Sequence, residues 1–275
     1  MTMTSYFLHD TFDSSESYSP ATLRSVRRRP ATEREDVHLL REKLRVPRQR
    51  GLIKRPRLDE ILRKSVAQFP ATLVSGRAGT GKSTLAAQFA RQQQHVAWYS
   101  VESSDIDWNV FAHYFATSIL GSVKSKVRVS DVLPDEIHAS QSAIATFLIN
   151  VFSEVETDLL GKPLLIVLDD IHHLFDAEWF DEFFRLLLSS LPDNTHVMLL
   201  CRSKPPNPLW RLRSKQQLNV IDEKLLAFDL AETVQLVKRA GVLRSEAERA
   251  HSATFGRVSK LLEFVGARIP NTLTL

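Results

Sequence analysis

Residues 76–84, Gly76-Arg77-Ala78-Gly79-Thr80-Gly81-Lys82-Ser83-Thr84, read GRAGTGKST and lie between the apolar run ATLVS and the helix-like LAAQFARQQQ. Gly76, Gly81, Lys82 and Ser83 satisfy the spacing G-x-x-x-x-G-K-[ST]. At average residue usage, a random chain of this length carries that pattern with a probability of only ~1%. The string also leaves a strand-like run and opens a helix, which is the setting such a loop requires. Its glycines let the backbone curl until several N–H groups converge on one anion, and a helix beginning near Gly81 aims the positive end of its dipole at the same point. Residues 76–84 are therefore candidate nucleotide-binding residues. Lys82 would reach the β- and γ-phosphate oxygens, and the Ser83 hydroxyl would ligate Mg2+.

Two further runs add charge where such a site would need it. In LLIVLDD, residues 164–170, large aliphatic residues lead to two carboxylates. Ligands of parallel sheets bind outside the carboxyl ends of the strands, so Asp169 and Asp170 should emerge beside the glycine-rich loop. Asp169 fits a Walker B role, holding Mg2+ directly or through water, and Asp170 can orient or deprotonate an attacking water. In HVMLLCR, residues 196–202, Arg202 ends another apolar run. If that strand lies between the other two, its guanidinium faces a γ-phosphate and can report its presence. Lys82, Asp170 and Arg202 are thus the candidate catalytic residues.

Working outward, apolar runs of strand length alternate with helical spacing from Leu52 to Phe228. The runs are ATLVSG (71–76), VAWYSVE (96–102), LLIVLDD, HVMLLCR and a weaker QLNVID (217–222). This alternation predicts an α/β domain over residues 36–228, a parallel sheet covered by helices on both faces. Residues 229–275 lose the strand pattern and read as a partial helical lobe, while residues 1–35 carry Ser, Thr, Tyr and charge without periodicity and read as a disordered leader. A length of 275 residues accommodates one large core with a small appendage, and 43% hydrophobic content is ordinary for a globular chain. No apolar run approaches the roughly 18 residues of a membrane span, and the first residues lack a signal-peptide pattern, so a cytoplasmic, non-membrane protein is expected. The single cysteine, Cys201, has no partner for an internal disulfide and reads as a small buried residue. The net charge of +4 gathers near the N-terminus, in residues 24–57, and there reads as a solvated basic run.

From Arg41 to Val265 the sequence resembles the ATPase module of the MalT-like transcriptional activators, in the signal-transducing STAND branch of P-loop ATPases. The resemblance rests on an ordered series: GLIKRPRLDEIL, TLVSGRAGTGKSTLAAQFA, VAWYSVESSDIDWNVFAHYFATSIL, PLLIVLDDIHHL and LPDNTHVMLLCRSKPPNPLWRLRSKQQLNVI. It implies the ASCE-type P-loop NTPase arrangement, a three-layer sandwich in which the Walker A and Walker B strands are separated by the strand carrying the sensor Arg202. It also implies ATP or ADP with Mg2+, self-association promoted by ATP, and a place for Arg55 and Arg57 near the adenine. A basic linker merely tethered to the domain is the other reading of those arginines. Members of this group continue into a helical-repeat sensor and a helix-turn-helix, and no such pattern follows before Leu275, so regulatory partners and no sequence-specific DNA binding by this chain alone are expected. Where the group has a Gly-Trp pair in the lobe, this chain has Phe255-Gly256-Arg257. His172 and His173 lack a third ligand at metal spacing and read as loop-packing or phosphate-proximal residues.

Three functions stay open from sequence: a slowly hydrolysing ATP switch, a nucleotide-binding interaction protein without turnover, and a DNA-binding regulator acting through residues 24–57. A helicase is disfavoured, since no second motor lobe accompanies the loop.

Overall fold

The computed structural model describes residues 40–48, 52–134 and 138–266, which lie within one compact unit, Val37–Leu275. The leader read over residues 1–35 lies outside the described residues. Strands β1 (Ala71–Ser75), β2 (His95–Ser100), β3 (Leu164–Asp169), β4 (Thr195–Cys201) and β5 (Leu218–Ile221) form one sheet in the order β2-β3-β4-β1-β5. Every pairing is parallel. The strand that ends beside Arg202 therefore separates the strand feeding the glycine-rich loop from the strand ending in Asp169, as the resemblance implied.

Strand periodicity explains the layers. Along β3, Leu164, Ile166 and Leu168 enter one buried cluster, while Leu165 and Val167 enter a second on the opposite face. Along β4, Val197, Leu199 and Cys201 join the first and Met198 and Leu200 the second. Both faces are thus apolar, so both must be covered by helices. The first face is covered by α3 (Trp108–Val123), α5 (Gln141–Leu159) and α6 (Phe180–Ser190), with the short α4 (Val129–Val132) at its margin. Aromatic rings from these elements interlock there: Phe111 meets Trp179 at 4.6 Å and Phe183 at 4.9 Å between centroids. The second face is covered by α1 (Pro56–Gln68) and α2 (Lys82–Ala90), through Leu58, Leu62, Leu85 and Phe89. Pro56 at the start of α1 costs nothing, because its missing N–H would be unpaired anyway.

Beyond the sheet, α7 (Asn207–Ser214) and α8 (Glu223–Leu226) flank β5, and α9 (Leu230–Arg239), α10 (Arg244–Thr254) and α11 (Val258–Gly266) follow as a helical segment. Asp229 and Glu232 form a reciprocal capping box that starts α9. Glu232 is buried because it also receives the Arg55 guanidinium, at 3.1 and 2.9 Å. Arg55 further donates to the carbonyls of Leu226 and Ala227. The solvated reading of the basic run therefore fails at two positions: Arg55 is buried in this network, and Lys43 is buried against Asp105 at 2.8 Å. Each is buried because a carboxylate from a distant segment meets it, a pairing that local sequence does not display. Gly256 is pressed against Phe228, where a Cβ would come within 2.1 Å of the Phe228 carbonyl oxygen. Among the described residues, no helix is long and apolar enough to cross a membrane.

At the amino-terminal edge of the sheet a directional hydrogen-bond chain fixes the state of one histidine. The Phe69 carbonyl can only accept, so His196 Nδ1 carries the proton in their 2.8 Å bond and Nε2 accepts from Thr72 at 2.9 Å. Thr72 in turn accepts from Ser65, which accepts from Asn219. A second proton on Nε2 would force the Thr72 hydroxyl to stop donating to the ring and turn elsewhere, and burial pushes the imidazole down to about 4. Below the ordinary pKa of about 6.5, the unfolded chain therefore binds a proton that the folded chain refuses. We expect stability to fall as pH drops from about 6.5 to about 4, by up to about 3 kcal/mol, with no further contribution below. Urea unfolding across that range checks this; a slope unchanged in His196→Gln would refute it.

Candidate functional site

Register decides what meets at the carboxyl edge. Ser75 pairs with Cys201 and Leu168 with Leu199, so β1, β3 and β4 end close to one level. Gly76 then begins the loop with its N–H bonded to the Cys201 carbonyl at 3.2 Å. Cys201 itself is buried, in line with its reading as a small interior residue.

The loop is shaped from within. Lys82, the first residue of α2, folds its ammonium back onto the carbonyls of Gly76 (2.5 Å) and Arg77 (3.0 Å), and Thr80 donates to the Arg77 carbonyl at 2.9 Å. These bonds turn the carbonyls inward. Gly81, the residue before α2, makes no side-chain cap, so the helix entrance keeps N–H groups that no cap satisfies. Such an entrance, with the helix dipole behind it, suits an anion. Burial lowers the pKa of Lys82, against the attraction of Asp170. An anion in the loop would offset that burial. Gly79 has φ 74°, and a Cβ there would meet the Ser259 Cβ at 2.8 Å, so a side chain is excluded by both conformation and space. The Ser259 N–H bonds the Gly79 carbonyl at 3.1 Å, seating the start of α11 on the loop.

At the end of β3, Asp169 is buried and its Oδ1 has no hydrogen-bond partner. Burial pushes its carboxyl up to about 6, with a hydrogen bond from Ser83 acting in the opposite direction. A hydroxyl and a desolvated carboxylate with a spare oxygen are hard donors suited to Mg2+, so Ser83 and Asp169 fit that ion. Asp170, at φ 57°, turns away from the strand and receives both Nε and Nη2 of Arg202, at 2.9 and 2.6 Å. The structure thus brings Lys82, Ser83, Asp169, Asp170 and Arg202 to one edge and pairs two of them. His172 lies 3.8 Å from Asp170, and its ring packs on His173 at 4.3 Å. Among the described residues, no group of three or more His, Cys, Asp or Glu is placed to hold a metal.

Beside the loop opens a cavity of about 570 Å³, within the range of small-molecule sites. Its wall includes Arg77 and Thr80 of the loop, Glu223 and Leu226 of α8, and Phe255 and Arg257 of the lobe. Arg77 is clamped to Glu223 by its guanidinium at 2.7 Å and by its own N–H at 3.1 Å. Arg55 and Arg57 are not among the residues lining this cavity; they donate to the carbonyls of residues 225–227 behind it. Sequence reasoning passed over Glu223, Ser259 and the Arg55–Glu232 pair. Only the last had a local signal, the Asp229-x-x-Glu232 spacing of a helix cap.

Comparison with known proteins agrees with this geometry. Residues 55–200 match the family model described as an AAA ATPase domain. The chain is 30% identical over 190 residues to the HTH-type transcriptional regulator MalT of Vibrio parahaemolyticus, covering 68% of this chain and 20% of that protein. It is 33% identical over 180 residues to the regulator of the same name from Yersinia enterocolitica, covering 64% of this chain and 19% of that protein. The chain thus spans about a fifth of the length of these curated relatives. Among solved structures, it is similar to a signal transduction ATPase with a tetratricopeptide repeat sensor from Pyrococcus horikoshii, with a TM-score of 0.53 at 20% identity, over 85% of this chain and 32% of that one. A Walker-type ATPase of Pyrococcus abyssi matches with a TM-score of 0.52 at 14% identity, over 78% of this chain and 67% of that one.

Proposed function

The chain belongs to the AAA ATPase domain family and is MalT-like in sequence, and from that premise we propose that it is an ATP-binding, slowly hydrolysing switch acting in the cytoplasm on transcription. The observation that carries this reading is the seating of the lobe on the loop, through Ser259 and Gly79, within one unit that also holds Lys82 and the Asp169–Asp170 pair. A ligand that reshapes the loop then acts on the lobe, which is what a switch needs.

In this reading residues 76–84 wrap the phosphates of ATP or ADP, and Lys82 exchanges its loop carbonyls for phosphate oxygens. Ser83 and Asp169 would hold Mg2+, which when bound neutralises charge on the phosphates. Asp170 orients the attacking water or takes its proton, and Arg202, released from Asp170, faces the terminal phosphate. Arg55 and Arg57 support the nucleotide site from behind, by fixing residues 225–227. A binder without turnover is the second reading, favoured by one observation: both carboxylate oxygens of Asp170 are occupied by Arg202. A regulatory partner would read the ATP-dependent state of the lobe.

We expect Lys82→Ala to weaken ATP binding roughly 100-fold, the loss of two charge-assisted bonds. Unchanged affinity in a calorimetric titration would refute the assignment. Asp170→Asn should retain ATP while turnover drops by about 100-fold or more; joint loss of binding and hydrolysis would move Asp170 to the metal. Light scattering should show self-association with ATP and a monomer with ADP, and a stable assembly in ADP would count against control by the γ-phosphate.

A further inference from the structure

His172 holds a polar atom that its surroundings leave idle. Its Nδ1 is buried, makes no hydrogen bond, and lies 3.8 Å from Oδ1 of Asp170, close enough for electrostatic attraction but too far for a hydrogen bond. A buried ring nitrogen without a partner costs stability, so its position calls for a reason. The ring is held beside Asp170 by the turn Ile171–Leu174. Ile171 and Leu174 are fully buried, the His173 N–H bonds the Asp170 carbonyl at 3.2 Å, and the His173 ring packs on that of His172 at 4.3 Å. Reaching hydrogen-bond distance of Asp170 takes a movement of about 1 Å, which side-chain rotation supplies without shifting the turn.

Arg202 occupies the same oxygen. Its Nε donates to Oδ1 at 2.9 Å, and its Nη2 fills Oδ2 at 2.6 Å. The two partners differ in what they leave behind. A guanidinium is a cation whose planar fork takes both oxygens at once. Burial pushes the His172 imidazole down, and His173, Arg202 and Lys82 push the same way against the attraction of Asp170. Above about 6.5, the ordinary value for histidine, the ring is therefore neutral and has one N–H to give. With a carboxylate oxygen beside Nδ1, the tautomer that carries its proton there is favoured. Such a donor fills one oxygen and leaves both the charge and the second oxygen of the carboxylate in place.

We propose that His172 is a positioning residue for Asp170: when Arg202 leaves for the terminal phosphate, the Nδ1–H of His172 takes over Oδ1, holds the carboxylate in place and leaves Oδ2 to receive a hydrogen bond from the attacking water. This rests on the hydrolytic reading above and adds to it the step by which Asp170, filled on both oxygens by Arg202, becomes available. Hydrolysis then follows nucleotide binding, because Asp170 is freed only when a phosphate draws Arg202 away. It also depends on a side chain that touches no part of the nucleotide.

The test is steady-state ATP turnover of the full chain, with affinity measured by calorimetry. His172→Phe keeps a ring against His173 but has no donor, and should lower kcat roughly 10- to 100-fold with KM and ATP affinity unchanged. An asparagine amide nitrogen falls where Nδ1 sits, one bond beyond Cγ, whereas a glutamine amide reaches the place of Nε2. His172→Asn should therefore keep most of the turnover, and His172→Gln should lose it. In an Asp170→Asn background, His172→Phe should cause no further loss, because it acts through that carboxylate. Full turnover in His172→Phe, equal losses in all three variants, or a loss that adds to that of Asp170→Asn would overturn the proposal while the role of Asp170 stands. Absence of turnover in the unaltered chain, or full turnover in Asp170→Asn, would overturn the hydrolytic role of Asp170, and this proposal with it.

Discussion

Arg55 and Glu232 lie 177 residues apart in sequence and meet in the interior, both almost inaccessible to water, with the guanidinium also donating to the Leu226 and Ala227 carbonyls. Desolvating two charges is expensive, and such a pair adds little net stability compared with well-packed apolar residues. Its effect is on geometry. Either charge alone in that position would be left buried and uncompensated, a loss of about 3–5 kcal/mol, so the segment before α1 and the start of α9 have one way to meet. The cavity wall at Glu223 and Leu226 and the seating of α11 on the loop both descend from that meeting.

The fold was legible because its main determinant is periodic. An all-parallel sheet buried on both faces needs apolar residues at nearly every strand position, and ATLVS, LLIVL and HVMLLC show this without any partner in view. Strand order was also within reach once the resemblance placed the Arg202 strand between the other two. Less could be read where pairing is long-range. Lys43 and Arg55 look like members of a solvated basic run until Asp105 and Glu232 are brought to them by the tertiary structure.

The candidate site divides along the same line. Residues 76–84 and the Asp169–Asp170 pair announce themselves because their chemistry is set by neighbours in sequence: a glycine-rich turn into a helix, and acids at the end of an apolar run. Glu223 and Ser259 do not, because each acquires meaning only from what folds against it. Glu223 illustrates this most clearly. An acid just past a weak strand carries no signal in a sequence, and becomes informative only when Arg77 of the loop is found bonded to it.

The contacts that hold the loop, α8 and the lobe together differ in strength, and the difference bears on how a switch of the proposed kind would move. Arg77 of the loop and Glu223 of α8 form a partly exposed pair that water screens, so it contributes little. The Ser259–Gly79 contact is a single backbone bond. Arg55 with Glu232 is buried and held by several hydrogen bonds. A ligand that competes for the loop can displace the first two at small cost, whereas breaking the third would strand a charge. On the switch reading, the lobe therefore parts from the loop at Ser259 while residues 226–232 stay fixed as the pivot, and the amplitude of the motion grows with distance from Arg55.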